Sequence, residues 1–186
     1  AGITFPHAGS PLPQALPPNP AATFAGLKAQ VVAARQEQLD YATALKGDMK
    51  YWFAKVYYFV TDNVLKTIDA GAYEYPIATL QETIAFHATY RKNLDAWRAG
   101  KTGDVESNWK IAFGEAESVN GGSWYRTRAQ EILSALLPSM QAHIRFDLPR
   151  ALASVYETNY AGIPGVSLGI FRADFDRMGP VFESAN

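Results

Sequence analysis

The sequence predicts an all-α fold: a single bundle of about six helices preceded by a proline-rich N-terminal arm. Three observations carry that reading. Apolar residues recur at steps of three and four, no run of β-branched residues alternates with period two, and glycine and proline punctuate the periodic stretches. A chain of 186 residues suits one core, since folding at that size buries roughly 70% of the surface an unfolded chain exposes. The chain therefore divides into an arm, residues 1–20, and one helical domain, residues 21–186.

The arm is defined by Pro6, Pro11, Pro13, Pro17, Pro18 and Pro20, six of the chain's eleven prolines, which fix φ and remove donors. A first helix follows, with Phe24, Leu27 and Val31 on one face, and Gly47 with Asp48 marks its stop and a restart. The second helix carries Trp52, Val56, Phe59 or Val60, Val64 and Ile68, and Gly71 ends it. Its aromatic groups, Tyr51-Trp52-Phe53 and Tyr57-Tyr58-Phe59, go right round the helix, so it is central to the bundle or lines a pocket for a flat apolar ligand.

Pro76 opens a third helix carrying Ile77, Leu80, Ile84, His87, Leu94 and Trp97, closed by Gly100 and Gly103. Asp104 is placed to cap a short fourth helix presenting Val105, Trp109, Ala112, Phe113 and Ala116, which stops at Asn120-Gly121-Gly122. Ser123 is then positioned to cap a long fifth segment, which Pro138 would kink. Asp147, two residues before Pro149, reads as the N-cap of a sixth helix reaching about Tyr156, and a last short helix spans residues 170–178.

Composition excludes several classes. Hydrophobic residues form 48% of the chain and charged ones 19%, which is not a disordered composition, and the 13% aromatic content predicts an interior rich in rings. The net charge is −1 with no dense basic block, so nucleic acid is not an expected partner. Lys55, Thr61, Asp62 and Lys66 interrupt the most hydrophobic stretch, so no membrane-spanning segment is expected. Absence of cysteine rules out disulfides, thiolate metal sites and a cysteine nucleophile. The chain starts at Ala1 without methionine, from cleavage of a signal peptide or from trimming; the first gives the expectation of a secreted or periplasmic protein.

The fifth segment carries the most unusual feature. Ile132, Leu136, Met140, His143, Asp147, Arg150 and Ser154 share one helical face, apolar in its first half and polar in its second. Residues four apart lie ~5–6 Å apart at Cβ, so Asp147 can accept a hydrogen bond from the His143 imidazole, fix its tautomer and raise its pKa. Such a pair is half of an acid–base or ligating arrangement; it equally serves to satisfy polar groups inside a bundle. A catalytic zinc site needs about three protein ligands. Only His7 and His87 could add imidazole: His7 belongs to the arm, and His87 sits on an apolar stripe one turn from Arg91. No metal site is expected, and no Gly-x-Ser-x-Gly elbow is present.

The order of features resembles a bacterial helical family of unknown function with the signature Ala-His-Ile-x-x-Asp-Leu-Pro, here Ala142, His143, Ile144, Asp147, Leu148 and Pro149. Agreement extends to the tyrosine and Val60-Thr61 of the second helix, Phe86 and Tyr90 of the third, Trp109 with Ala112-Phe113, and Asp174-Phe175. The resemblance covers most of the chain after the arm. It implies a helical fold without naming a reaction. A looser similarity to helical zinc-dependent phospholipases and nucleases, which use His-x-x-x-Asp ligands, fails on the number of histidines.

Two functions follow from these residues. In the first, the protein is a binding or interaction module whose aromatic interior holds a small apolar molecule, with His87, Tyr57, Tyr90 and Arg145 as candidate ligand-binding residues. In the second, it is an enzyme, hydrolytic in its simplest form. There His143 is the general acid or base, Asp147 orients it, and Arg150 or Arg145 holds an anionic substrate group. Cofactor and oligomeric state are left open by both.

Overall fold

The computed structural model describes residues 20–122 and 124–177, and among them every regular element is helical. The all-α expectation holds. The seven α-helices are α1 (Pro20–Ala44), α2 (Tyr51–Asp69), α3 (Pro76–Arg98), α4 (Ser107–Ser118), α5 (Arg128–Gln141), α6 (Leu148–Asn159) and α7 (Arg172–Arg177). A π-helical segment, Ala142–Asp147, joins α5 directly to α6. His7 and the rest of the arm before Pro20, and Met178, lie outside the described residues.

Gly47, Gly71, Gly100 and Pro76 punctuate the chain where expected, while Pro138 lies inside α5, which runs on past it to Gln141. Gly47 (φ +90°) turns the chain between α1 and α2, where Asp48 accepts from the Lys50 amide at 2.8 Å, and α3 begins at Pro76 itself. Three caps differ from expectation. Asp104 belongs to a 3₁₀ turn, Thr102–Asp104, and α4 starts after Glu106. The fifth helix is capped by Thr127, whose hydroxyl accepts from the Gln130 amide while the Gln130 side chain accepts from the Thr127 amide at 2.9 Å, a reciprocal box. The expected cap at Ser123 falls outside the described residues. Asp147 caps nothing, because the chain is helical on both sides of it.

The described residues gather into two compact units, to both of which α1, α2, α3 and α6 contribute. The first comprises residues 20–35, 59–85 and 151–177. One apolar cluster there joins Val31, Val64, Leu65, Ile68, Tyr73 and Leu80; another joins Ala78, Val155, Tyr160, Val166 and Phe171. Asp174, 3% exposed, accepts from the Glu74 and Tyr75 amides at 2.8 and 2.6 Å and from Arg177 at 2.6 Å, tying α7 to the turn that precedes α3.

The second unit comprises residues 36–58, 86–122 and 124–150. Met49, Ala116, Val119 and Ala135 form one cluster, with Trp52 and Ile132 against it. Lys50, only 5% exposed, is balanced by Glu117 at 2.6 Å and Asp48 at 2.8 Å. The same unit buries a block of rings from α2, α3 and α4: Phe53, Tyr57, Phe86, Tyr90, Trp109 and Phe113.

The buried stripe of the long rod is shifted by one residue from the expected one. Glu131, Ala135, Ser139, His143 and Asp147 are buried, while Ile132, Leu136 and Met140 are half-buried and Arg150 and Ser154 are exposed. Steps of four drift by about 40° each on an α-helix of 3.6 residues per turn. The wider π turn between His143 and Asp147 reverses that drift and holds both residues on the inward side. Pro149 helps explain the π turn, since it lacks the N–H that an α-helix would direct at the Arg145 carbonyl.

Candidate functional site

His143 and Asp147 meet as their spacing predicts, with Nδ1 3.0 Å from Oδ2. A carboxylate only accepts, so Nδ1 carries the proton and Nε2 presents a bare lone pair. Asp147 has no exposed surface and takes two further donors: the Trp109 indole N–H at 2.8 Å on Oδ2, and Arg150 Nη2 at 2.7 Å on Oδ1. Three helical segments thus converge on one carboxylate. The same Nη2 reaches Glu106 at 2.6 Å, Lys92 stands 3.5 Å from the other Glu106 oxygen, and Arg150 Nε donates to the Phe146 carbonyl at 2.9 Å. Two cations and two carboxylates make this cluster neutral.

The imidazole is sealed. Its ring stacks on Phe86 at 3.4 Å and 8°, and Tyr57, Phe53, Trp109 and Tyr90 surround it with centroids at 4.5, 5.5, 5.8 and 6.1 Å. Burial drives its pKa down to about 4, outweighing the opposing pull of Asp147, so the ring is neutral at pH 7. Nε2 and the Tyr57 hydroxyl are both enclosed and unpartnered. Burial holds the Tyr57 and Tyr90 hydroxyls well above their ordinary range, so neither is a proton donor to bulk water near neutrality.

His87 lies in the same unit with the opposite tautomer. The Gln38 amide donates to Nδ1 at 3.2 Å, so Nε2 carries the proton and donates to Glu37 at 2.6 Å. Burial lowers its pKa against the pull of Glu37. Tyr57 stands between the two histidines, 5.9 Å from His87 and 4.5 Å from His143. Among the predicted residues, then, His143, Asp147 and Arg150 share one network, and Tyr57, Tyr90 and His87 are packed around or near it. Arg145 is exposed and, among the described residues, joins none of these contacts.

Sequence reasoning missed Trp109 as a donor and Glu106 as the second anchor of Arg150. The first was findable, because a buried indole N–H needs an acceptor and few unassigned carboxylates were inward-facing. Nothing in the spacing marked Glu106.

A groove of about 630 Å³ opens beside this network. Ile111, Pro138 and Phe146 supply apolar surface, Ser107, Asn108 and Gln141 polar groups, and Arg150 and Glu106 the charged wall. Ile111 and Phe146 are 64% and 54% exposed, so the apolar part faces solvent. Arg150 uses Nε and Nη2 inward; among the described residues its Nη1 makes no hydrogen bond. No group of three or more metal-ligating side chains occurs among the described residues, and no helix there is long and apolar enough to cross a membrane.

No curated protein and no solved structure matches the chain. Residues 29–186 match a family described as a family of unknown function (DUF5995), a span that takes in the whole second unit with the His143 network and all of the first unit from residue 29 on. The chain is a member of that family.

Proposed function

We propose that the protein binds a small molecule with an apolar body and a hydrogen-bond-accepting head, in the groove over Arg150. The observation that carries this reading is the setting of Arg150: two carboxylates and a carbonyl fix it from within, and Nη1 is left for a ligand beside exposed apolar walls. Concave, mostly apolar surface with a few fixed polar groups is what small-molecule sites share, and the volume is within their ordinary range. The charge balance of Lys92, Glu106, Asp147 and Arg150 favours a neutral acceptor or one carboxylate or sulfonate over a multiply charged anion. In this reading the His143–Asp147 pair holds Arg150 in place and takes no part in chemistry, as Nε2 is enclosed by rings. The signature around residues 142–149 then marks a structural joint beneath a binding surface.

Titration with the fluorescent probe 8-anilinonaphthalene-1-sulfonate tests this. Ile111→Ser is expected to weaken binding about tenfold, the loss from removing one aliphatic side chain from the contact, and to leave the melting temperature unchanged because Ile111 is exposed. Unchanged probe affinity in a folded Ile111→Ser protein would refute the groove as the site.

A further inference from the structure

The first compact unit contains a second concavity, unrelated to the His143 network. Leu152, Leu168, Phe171 and Phe175 wall a pocket of about 460 Å³, whose lining is completed by Gly169, Arg172 and Glu82 of α3. Glu82 is 8% exposed, and among the described residues no hydrogen bond or ion pair reaches its carboxyl group. Solitary buried acids are rare, since an unpaired carboxylate in an apolar setting costs several kcal/mol, and each one calls for a physical explanation.

We propose that this pocket is a binding site for a primary ammonium ion carried on an apolar body, with Glu82 as the group that receives the cation. The surroundings set the sign of the ligand. Asp174 is the nearby charge that acts on Glu82; its own cation, Arg177, is shared with Glu74 at 3.2 Å. Arg172 on the pocket wall is turned to Asp176 at 3.4 Å. Tyr73 and Tyr160 sense Glu82 as well; the Tyr160 hydroxyl donates to Gln81 at 2.7 Å, and both phenols stay neutral because burial raises their pKa. The local field is therefore negative wherever Glu82 ionises, which repels an anionic head and attracts a cation. The four apolar walls would take a short alkyl or aryl body.

Burial, reinforced by Asp174, lifts the Glu82 pKa to about 8, so the empty site holds a neutral acid at pH 7. Binding an ammonium ion ionises it: the carboxylic acid gives its proton to solvent and the carboxylate pairs with the ammonium. No other group changes charge. Association should then release close to one proton per ligand near pH 7, a signature that simple filling of an apolar hole lacks.

Calorimetric titration with hexylammonium at pH 7, in two buffers of different ionisation enthalpy, reads this proton directly in the unmodified protein. Release of close to one proton, with hexanol and hexanoate binding at least tenfold more weakly, is the expected result. Glu82→Gln is expected to fold, to bind hexylammonium at least tenfold more weakly, and to release no proton. Equal binding of hexanol and hexylammonium without proton release would overturn the proposal and leave only an apolar cavity. So would no detectable hexylammonium binding, or undiminished affinity in Glu82→Gln.

Discussion

Asp147→Ala is expected to destabilise the protein by about 3–5 kcal/mol, from two buried donors left without an acceptor at about 1–3 kcal/mol each and the cavity left by the side chain. The carboxylate has no exposed surface and receives the Trp109 indole, the His143 imidazole and the Arg150 guanidinium. The alanine variant leaves two neutral donors buried without acceptors and frees the arginine from its inner anchor. Arginine, 55% exposed on its side chain, can turn to water or keep Glu106, so most of the loss belongs to the two enclosed N–H groups and the cavity. Asp147→Asn keeps the volume but brings an NH₂ group against donors, and is expected to fall between alanine and wild type. Urea unfolding at pH 7, with slopes compared to confirm two-state behaviour, gives both values. A loss below about 1 kcal/mol for alanine would show that the network is not what holds this part of the chain.

The second large effect is a pH dependence. His143 is depressed in the folded state to about 4 from an unfolded value of 6.5. The unfolded chain therefore binds this proton more readily, and the stability contributed by the neutral buried ring is complete above pH 6.5 and lost as pH falls from there towards 4. Two to three pH units at ~1.4 kcal/mol each give a loss of about 3 kcal/mol. Glu82 works the other way: its folded value of about 8 lies above the ordinary 4.5, so its contribution is complete below pH 4.5 and declines up to pH 8. Between pH 4.5 and 6.5 the two slopes oppose each other, and the bare pH profile of the wild type is flatter than either. The separation comes from substitution. In a Glu82→Gln background, stability should fall by about 3 kcal/mol more between pH 7 and 4 with His143 present than in His143→Gln, while His87, depressed in the same direction, is common to both and cancels. Parallel profiles for the two proteins would contradict the sealed, neutral state of the ring.

The helical architecture was legible because its signals are local. Gly47, Gly71 and Gly100 adopt positive φ at the turns their sequence positions mark, and Pro76 opens the helix it is suited to open. The pairing of His143 with Asp147 was legible for the same reason, being a matter of four residues on one helix. What escaped is set by longer range or by a change of helical pitch. The π turn displaced the buried stripe, so Arg150, expected inward with its neighbours, lies at the surface and only its Nη2 reaches Asp147. The capping role assigned to Asp147 yielded to Trp109, 38 residues away in sequence, because a buried indole is a stronger claim on a carboxylate than a helix end that never forms. Glu82 went unremarked, as an acid on a helix ordinarily faces water and only the tertiary packing encloses it.

In the proposed role, His143 is an enclosed, neutral imidazole with its proton on Nδ1, a structural support for Arg150. Nitrogen-15 NMR of the histidine side chains measures this directly. Expected is one imidazole with Nδ1 protonated, Nε2 bare and no titration between pH 5 and 8, its Nδ1–H exchanging slowly enough to be seen. An imidazole at His143 that titrates near 6.5, or whose Nδ1–H exchanges too fast to detect, would mean that the ring is open to solvent, and would restore acid–base chemistry as the reading of this site.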